Sequence, residues 1–178
     1  MTEMKAPNRQ NANPVGPGEF HGLGDSGQDY DTHPDSKVEL LTYVLDGQAF
    51  AVDIMMVREI RGWSEPTPIV DAPPYVRGMI NLRGVILPVF DLAVRLKGSV
   101  AGKESRGVII VVETSERAAG LMVDGVTDII GLSKDDLRVP PSAGGTAQNG
   151  MICNLVVTDD RIIQLLDLDA VLGEFAEH

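Results

Sequence analysis

The chain has 178 residues and a formal net charge of −11, and 43% of its residues are hydrophobic while only 4% are aromatic. This length suits one domain or two small barrels that share a core, and the scarcity of aromatic side chains predicts an aliphatic core. The large negative charge disfavours contact with nucleic-acid phosphates and anionic lipid headgroups, which argues against nucleic acid or membrane as a direct partner.

Residues 1–36 differ in composition from the rest of the chain. They contain five Gly and four Pro and few large apolar side chains. Such a segment cannot bury enough apolar surface to offset the entropy lost on ordering, so it is predicted to be a disordered N-terminal tail. Its first residues lack the apolar core of a signal peptide, and the longest aliphatic run, 108–112, is too short to cross a bilayer. The sequence therefore predicts a cytoplasmic protein with its folded domain in residues 37–178.

From Val38 onward, short apolar runs alternate with turn residues, which is typical of a small barrel or sandwich. Asp46-Gly47 and Arg83-Gly84 are hairpin signals. Pro88 predicts that its strand lies at an edge or a bulge. The strands predicted in the first half are 38–45, 49–53, 69–70, 79–82 and 85–90.

The second half repeats this style after a loop at 97–106. No sequence repeat is apparent, although the two halves are similar in size and character. The chain is therefore predicted to be mostly β. The strands predicted in the second half are 108–113, 118–123, 126–130, 151–158 and 161–166.

Short helices are predicted between the strands. Ile54, Val57 and Ile60 recur at helical spacing, which predicts a helix over 54–60. The remaining helices each follow a residue that is suited to an N-cap: Asp91 before a helix to Leu96, Ser133 before one turn over 133–137, and Asp167 before a terminal helix.

Two enzyme-like motifs overlap in the tail. Residues 22–27 satisfy the G-x-G-x-x-G pattern and residues 24–27 resemble a serine-protease nucleophile loop. Neither motif has the flanking strand, helix or rigid base that its chemistry requires. Two of the three histidines, His21 and His33, are in the predicted tail and the third is His178 at the last position, so none is expected in a packed shell that could support general base catalysis or zinc binding.

The other candidate chemical groups have structural explanations. Cys153 is the single cysteine, which excludes an intrachain disulfide, and its apolar neighbours predict a buried, inert thiol. Acidic pairs fall at turns or helix starts, where turn and cap roles are favoured over glycosidase or cation-binding chemistry. No catalytic, metal or cofactor site is predicted. The acidic pairs are Asp124/Asp128, Asp135/Asp136, Asp159/Asp160 and Asp167/Asp169.

One run of residues suits binding. Arg83 occupies a tight turn between apolar strands, flanked by Ile80, Leu82 and Val85. Such an arginine is either solvated or the charged rim of an apolar interaction groove, and its spacing leaves both interpretations open.

Three separated motifs resemble the CheW-like domain: DIMMVREIRG at 53–62, GMINLRGVILPVFDL at 78–92 and GLMVDGVTDI at 120–129. Residues 161–172 resemble its closing strand and helix. The resemblance implies two five-stranded SH3-like barrels that share a hydrophobic core. The first barrel would span about 37–96 and the second about 106–166 with some strand exchange, and a terminal helix at 167–176 would pack on the first barrel.

The resemblance also implies a function. CheW-like proteins are non-enzymatic adaptors that couple chemoreceptors to the histidine kinase CheA. The helical tip of the receptor is expected in the groove between the barrels, where valines receive apolar side chains, Glu59 and Arg83 fix the register and Gly78 permits close backbone approach. The regulatory domain of the kinase is expected on another surface, without assigned residues. The receptor-binding residues carried over by the motifs are Val57 and Glu59 on the short helix, with Gly78 and Arg83. Val108 and Val126, opposite them in the second half, are expected to line the same groove.

This family implies a monomer when isolated, recruited to receptor arrays at the inner face of the membrane without touching lipid. Two alternatives remain at this point. One is an adaptor of a paralogous array that controls surface motility, and the other is a small-molecule-binding or hydrolytic enzyme.

Overall fold

The computed structural model describes residues 37–98, 107–141 and 150–173. The tail predicted over 1–36 and the end of the terminal helix predicted over 167–176 lie outside this part of the chain. Among the described residues, no helix is long and apolar enough to cross a membrane.

The described residues form strands joined by short helices and turns. The strands are β1 (Lys37–Leu45), β2 (Gln48–Asp53), β3 (Val57–Gly62), β4 (Val76–Leu82), β5 (Val85–Asp91), β6 (Val108–Glu113), β7 (Ala118–Val123), β8 (Gly125–Ser133), β9 (Leu137–Arg138), β10 (Ile152–Val157) and β11 (Ile162–Leu166). The helices are α1 (Leu92–Lys97) and α2 (Leu168–Leu172), and 3-10 turns occupy Ile54–Met56 and Lys134–Asp136.

The strands form two mixed sheets. The six-stranded sheet has the order β8-β1-β2-β11-β10-β9, and the five-stranded sheet has the order β3-β6-β7-β5-β4. The predicted fold class, two β subdomains with short helices, is confirmed. The six-stranded sheet consists of five longer strands, as predicted for each barrel, and the additional two-residue strand β9. The strand exchange moves β1 and β2 into the sheet of β8–β11, while β6 and β7 complete the sheet of β3–β5.

The two sheets repeat one topology. Each contains a single parallel pair, β5 with β7 and β11 with β2, between antiparallel hairpins. Thus β3 corresponds to β8, β6–β7 to β1–β2, and β4–β5–α1 to β10–β11–α2. The strand registers mark equivalent positions: Val76 pairs with Phe90 just before Asp91, and Ile152 pairs with Leu166 just before Asp167. The side chains of Asp91 and Asp167 each accept a backbone N–H at the start of the following helix.

One apolar cluster is shared by both sheets. Leu41 and Phe50 of the six-stranded sheet pack in the same cluster as Ile110 and Leu121 of the five-stranded sheet. Both helices add leucines to it. Arg95 of α1 also ties the helices together, because its Nε donates to the Val171 carbonyl at 2.9 Å. The subdomains therefore share a core, as the sequence predicted.

The helix predicted over 54–60 is wrong. A 3-10 turn ends at Met56, and the chain then enters β3, where half-buried Val57, Glu59 and Arg61 alternate with exposed residues. This two-residue period arises because β3 pairs with β6, and β-branched residues are well suited to a pleated strand. The spacing of Ile54, Val57 and Ile60 had matched a helix by coincidence.

The short strand predicted at 69–70 is also wrong. Ile69 is partly exposed and Val70 is 87% exposed, next to a turn. The strand-like contact in this segment is made by Thr67, which forms an isolated bridge with Met79. A brief apolar pair does not specify a strand unless a partner edge lies within reach.

The burial predicted for Cys153 is wrong as well. The side chain is exposed because the register of β10 shifts between Ile152 and Asn154, which turns the intervening residue outward. Its Sγ still donates to the Leu165 carbonyl at 3.4 Å. Partial burial, and secondarily the charge of Asp167, raise the pKa of this thiol, which disfavours the reactive thiolate.

Tyr43 carries a polar atom into the shared core. It is fully buried and stacks on Phe50, and its hydroxyl has no hydrogen-bond partner among the described residues. Burial raises its pKa well above the ordinary value of 10.0. A buried hydroxyl without a partner costs about 1–3 kcal/mol.

Replacing Tyr43 with Phe is therefore expected to raise the free energy of unfolding at neutral pH by about 1 kcal/mol. The folded protein holds the Tyr43 proton more tightly than the unfolded chain does, because burial raises the pKa of Tyr43. The stability that the wild-type protein gains from holding this proton is complete below pH 10 and is lost as the pH rises further. Urea unfolding at pH 7 and between pH 10 and 11.5 checks both effects, and Tyr43→Phe should lose less stability in alkali. Tyr75→Phe is the control, and its change in the free energy of unfolding is expected to be near zero. A Tyr43→Phe protein less stable than wild type would contradict the conclusion that the Tyr43 hydroxyl lacks a hydrogen-bond partner among the described residues.

Candidate functional site

Glu59 lies between two arginines at the edge of the five-stranded sheet. Its Oε2 is 2.9 Å from Arg83 Nη2, and its Oε1 is 3.6 Å from Arg61 Nε. The Glu59 side chain is only 21% exposed, whereas that of Arg83 is 81% exposed. The carboxylate is therefore largely enclosed, while most of the Arg83 guanidinium faces solvent.

The β4–β5 hairpin positions Arg83. Arg83 and Gly84 both adopt a positive φ, 51° and 88°, which is the geometry of a tight two-residue hairpin turn. Asn81 stabilises the turn because its Oδ1 accepts the Gly84 N–H at 2.8 Å. Since β3 and β4 are opposite edges of the five-stranded sheet, the Glu59–Arg83 ion pair joins one edge to the hairpin of the other.

Gly78 makes a close contact within the chain. Its φ is 145°, and a Cβ added there would lie 2.3 Å from the Thr67 carbonyl oxygen. Thr67 and Met79 exchange two backbone hydrogen bonds of 2.8 Å each across this point. The missing side chain of Gly78 therefore allows the segment after β3 to pair with β4, which helps to close the sheet.

The three predicted valines are all half-buried against the shared core. Val57 pairs with Val112 of β6. Val108 lies four residues from Val112 on the same strand, so these two valines are about 13 Å apart. Val108 pairs with Val123, shortly before the chain crosses to the six-stranded sheet and reaches Val126. The structure thus brings Glu59 and Arg83 into contact and places two valines at the crossover, but it does not gather all six residues into one cluster.

Two exposed methionines that the sequence interpretation did not assign lie beside Val57. Met55 is 84% exposed and Met56 is 40% exposed, both in the 3-10 turn that precedes β3. Asp53 holds this turn in place by accepting the Met55 N–H at 2.9 Å. Exposed methionine is adaptable apolar surface of the kind found at binding sites. The sequence did offer a signal for these two residues, because both methionines lie within the motif at 53–62.

A groove of about 480 Å³ lies elsewhere, between β5 and the start of β7. It opens because β5 pairs with β7 only from Val89 onward, so the preceding Pro88 stands at an unpaired stretch of strand edge, as predicted. Exposed Val85 and Ile86 line one wall, and Glu116 and Arg117 form part of the rim. None of the six predicted receptor-binding residues lines this groove.

Several residues of the acidic pairs have the turn and cap roles that the sequence predicted, whereas Asp128 lies within β8. Asp124 accepts the Asp46 N–H at 2.7 Å, and Asp136 forms a reciprocal capping box with Ser133. Within the described ranges, no three His, Cys, Asp or Glu side chains are grouped to hold a metal ion. The motifs at 22–27 and all three histidines lie outside these ranges. The chemistry available at the site is ion pairing and apolar contact.

Comparisons with known proteins agree with this picture. Residues 39–176 match the CheW-like domain family model. The chain is 41% identical to the chemotaxis protein CheW of Rhizobium meliloti, over 75% of this chain and 86% of the relative. It is 32% identical to the chemotaxis protein CheW of Klebsiella aerogenes, over 76% of this chain and 81% of the relative. The scaffolding protein TtCheW of Thermoanaerobacter tengcongensis has a similar structure, with a TM-score of 0.70 and 28% identity over 79% of this chain and 95% of that one.

Replacing Gly78 with Ala is expected to lower the free energy of unfolding by more than about 2 kcal/mol, because the new Cβ collides with backbone and the φ is unfavourable. Gly62→Ala is the matched control, since a Cβ there meets nothing within 4 Å. Chemical denaturation of both variants tests this. Equal stabilities would show that the Thr67 contact is not tight, and would return Gly78 to a role in partner binding alone.

Proposed function

The chain belongs to the CheW-like family, and we propose that it is a non-enzymatic scaffolding adaptor that couples chemoreceptors to the histidine kinase CheA. The relatives named above are chemotaxis proteins, and the solved neighbour is a scaffolding protein. Coupling of this kind requires two binding surfaces and no chemical step. The observation that carries the proposal is the exposed guanidinium of Arg83, held at a defined place by a mostly buried carboxylate.

We propose that the receptor is bound as a helix along the start of β3. Met55 and Val57 offer apolar surface to its buried face, in the helix-in-groove mode of recognition. Arg83 contributes a charged contact that sets the register of the helix. Glu59 acts by orienting Arg83, because its own carboxylate is largely enclosed. Val108 and Val126 extend the apolar surface at the crossover between the two sheets.

The regulatory domain of CheA is proposed to bind a different surface, so that one adaptor contacts receptor and kinase together. The protein is proposed to work in the cytoplasm, where it joins receptor arrays at the inner face of the membrane through these protein contacts. Its net charge of −11 disfavours adhesion to anionic lipid and supports recruitment by protein partners.

Replacing Arg83 with Ala is expected to weaken binding of a receptor-tip fragment at least about tenfold, because a positioned charge at an interface is lost. Isothermal titration with the fragment measures the change, and circular dichroism confirms that the fold is intact. Arg58→Ala is the matched control, since Arg58 is also exposed and paired with a glutamate but lies on the other face of β3. An unchanged affinity for Arg83→Ala would refute the proposed receptor site.

The adaptor role predicts simultaneous binding. Co-sedimentation of the full chain with receptor-tip assemblies and the CheA regulatory domain is expected to retain all three components. The Arg83→Ala protein is expected to keep its kinase interaction while losing the receptor. Failure of the wild-type chain to bind either partner would overturn the proposal, and loss of both interactions in Arg83→Ala would show that the two surfaces are not separate.

A further inference from the structure

The carboxylate of Glu59 has two cationic neighbours that differ in exposure. Arg83 approaches one oxygen from a hairpin turn and is 81% exposed. Arg61 approaches the other oxygen from the same strand as Glu59, and its side chain is only 33% exposed. The shorter contact is therefore made by the more exposed arginine, and the longer contact by the more enclosed one.

This arrangement matters when Arg83 engages a partner. If an incoming carboxylate draws the Arg83 guanidinium outward, the Glu59 contact at 2.9 Å is weakened. Glu59 is only 21% exposed, so water cannot fully replace the lost cation. A partly buried charge without a partner is costly, and that cost would oppose binding.

We propose that Arg61 is a positioning residue that keeps Glu59 charge-compensated while Arg83 turns to a carboxylate on the receptor helix. Arg61 already lies near the oxygen that Arg83 does not contact, so it remains beside Glu59 when Arg83 moves. The inference rests on the proposed receptor site and specifies its partner chemistry, an acidic side chain of the receptor that faces Arg83.

The neighbouring Arg58 shows why this role belongs to Arg61. Arg58 is on the same strand, but it lies on the opposite face and pairs with Glu113 at 3.1 Å. That pair is about half exposed on both sides, 51% and 46%, so solvent screens it. Loss of the Arg58 charge leaves no enclosed carboxylate behind, which makes it a matched control.

The test measures receptor-tip affinity for Arg61→Gln, Arg61→Lys and Arg58→Gln in the full chain. Arg61→Gln is expected to weaken binding about fivefold, while Arg61→Lys, which retains the charge, and Arg58→Gln change it less than about twofold. Urea unfolding of the same proteins is expected to give similar midpoints, which excludes a general loss of structure.

A double-mutant cycle separates compensation from a direct contact. In a Glu59→Gln background there is no charge to compensate, so Arg61→Gln is expected to have no further effect. If the Glu59→Gln protein binds the receptor tip too weakly to measure, the comparison of Arg61→Gln with Arg61→Lys shows whether the charge of Arg61 is what binding requires.

Equal affinities for Arg61→Gln and Arg58→Gln, or no rescue by lysine, would overturn this inference. If Arg83→Ala weakens binding while Arg61→Gln behaves like Arg58→Gln, only the role of Arg61 fails. If Arg83→Ala has no effect, the proposed receptor site itself fails.

Discussion

The apolar cluster shared by the two sheets is the constraint on which the other features depend. Neither sheet is built from one continuous half of the chain, because β1–β2 and β6–β7 are exchanged between them. Each sheet therefore places buried residues in the common cluster, and both short helices seal it. An arrangement of this kind couples the folding of the two subdomains, since neither can complete its sheet without strands from the distant part of the chain. Val57 at the start of β3, Val108 at the start of β6 and Val126 in β8 all pack against this cluster.

The five-stranded sheet is closed by two contacts that also shape the proposed receptor site. The Thr67–Met79 bridge brings the segment after β3 onto β4, and Gly78 leaves room for it. The Glu59–Arg83 ion pair then joins β3 to the β4–β5 turn. An ion pair with one highly exposed partner, as Arg83 is here, contributes little to stability by itself because solvent screens it. Here its main effect is positional, because it holds an arginine outward at a place that the backbone has already defined. The residues that close the sheet are therefore among those proposed for receptor binding.

Most strands were predictable because their signals are local. Alternating apolar residues and the Asp46-Gly47 and Arg83-Gly84 turns specify hairpins within a few positions. The errors arose where a distant partner decides the outcome. The segment at 54–60 has helical spacing, yet pairing with β6 makes most of it a strand. Cys153 has apolar neighbours, yet a register shift against β11 turns it outward. The ion pair of Glu59 with Arg83 joins residues that are 24 positions apart, and no local pattern indicates that they meet.

The sequence by itself determined the mostly β class, the family, and the residue types available for binding, because hydrophobic periodicity, turn residues and motifs are properties of neighbouring positions. It also placed the helix caps at Asp91, Ser133 and Asp167, whose hydrogen bonds are local. Only the tertiary structure decided which strands pair across the two sheets and that both sheets repeat one topology. It likewise decided that Glu59 is enclosed between Arg61 and Arg83. Those features depend on contacts between distant segments, which form only when the shared core brings them together.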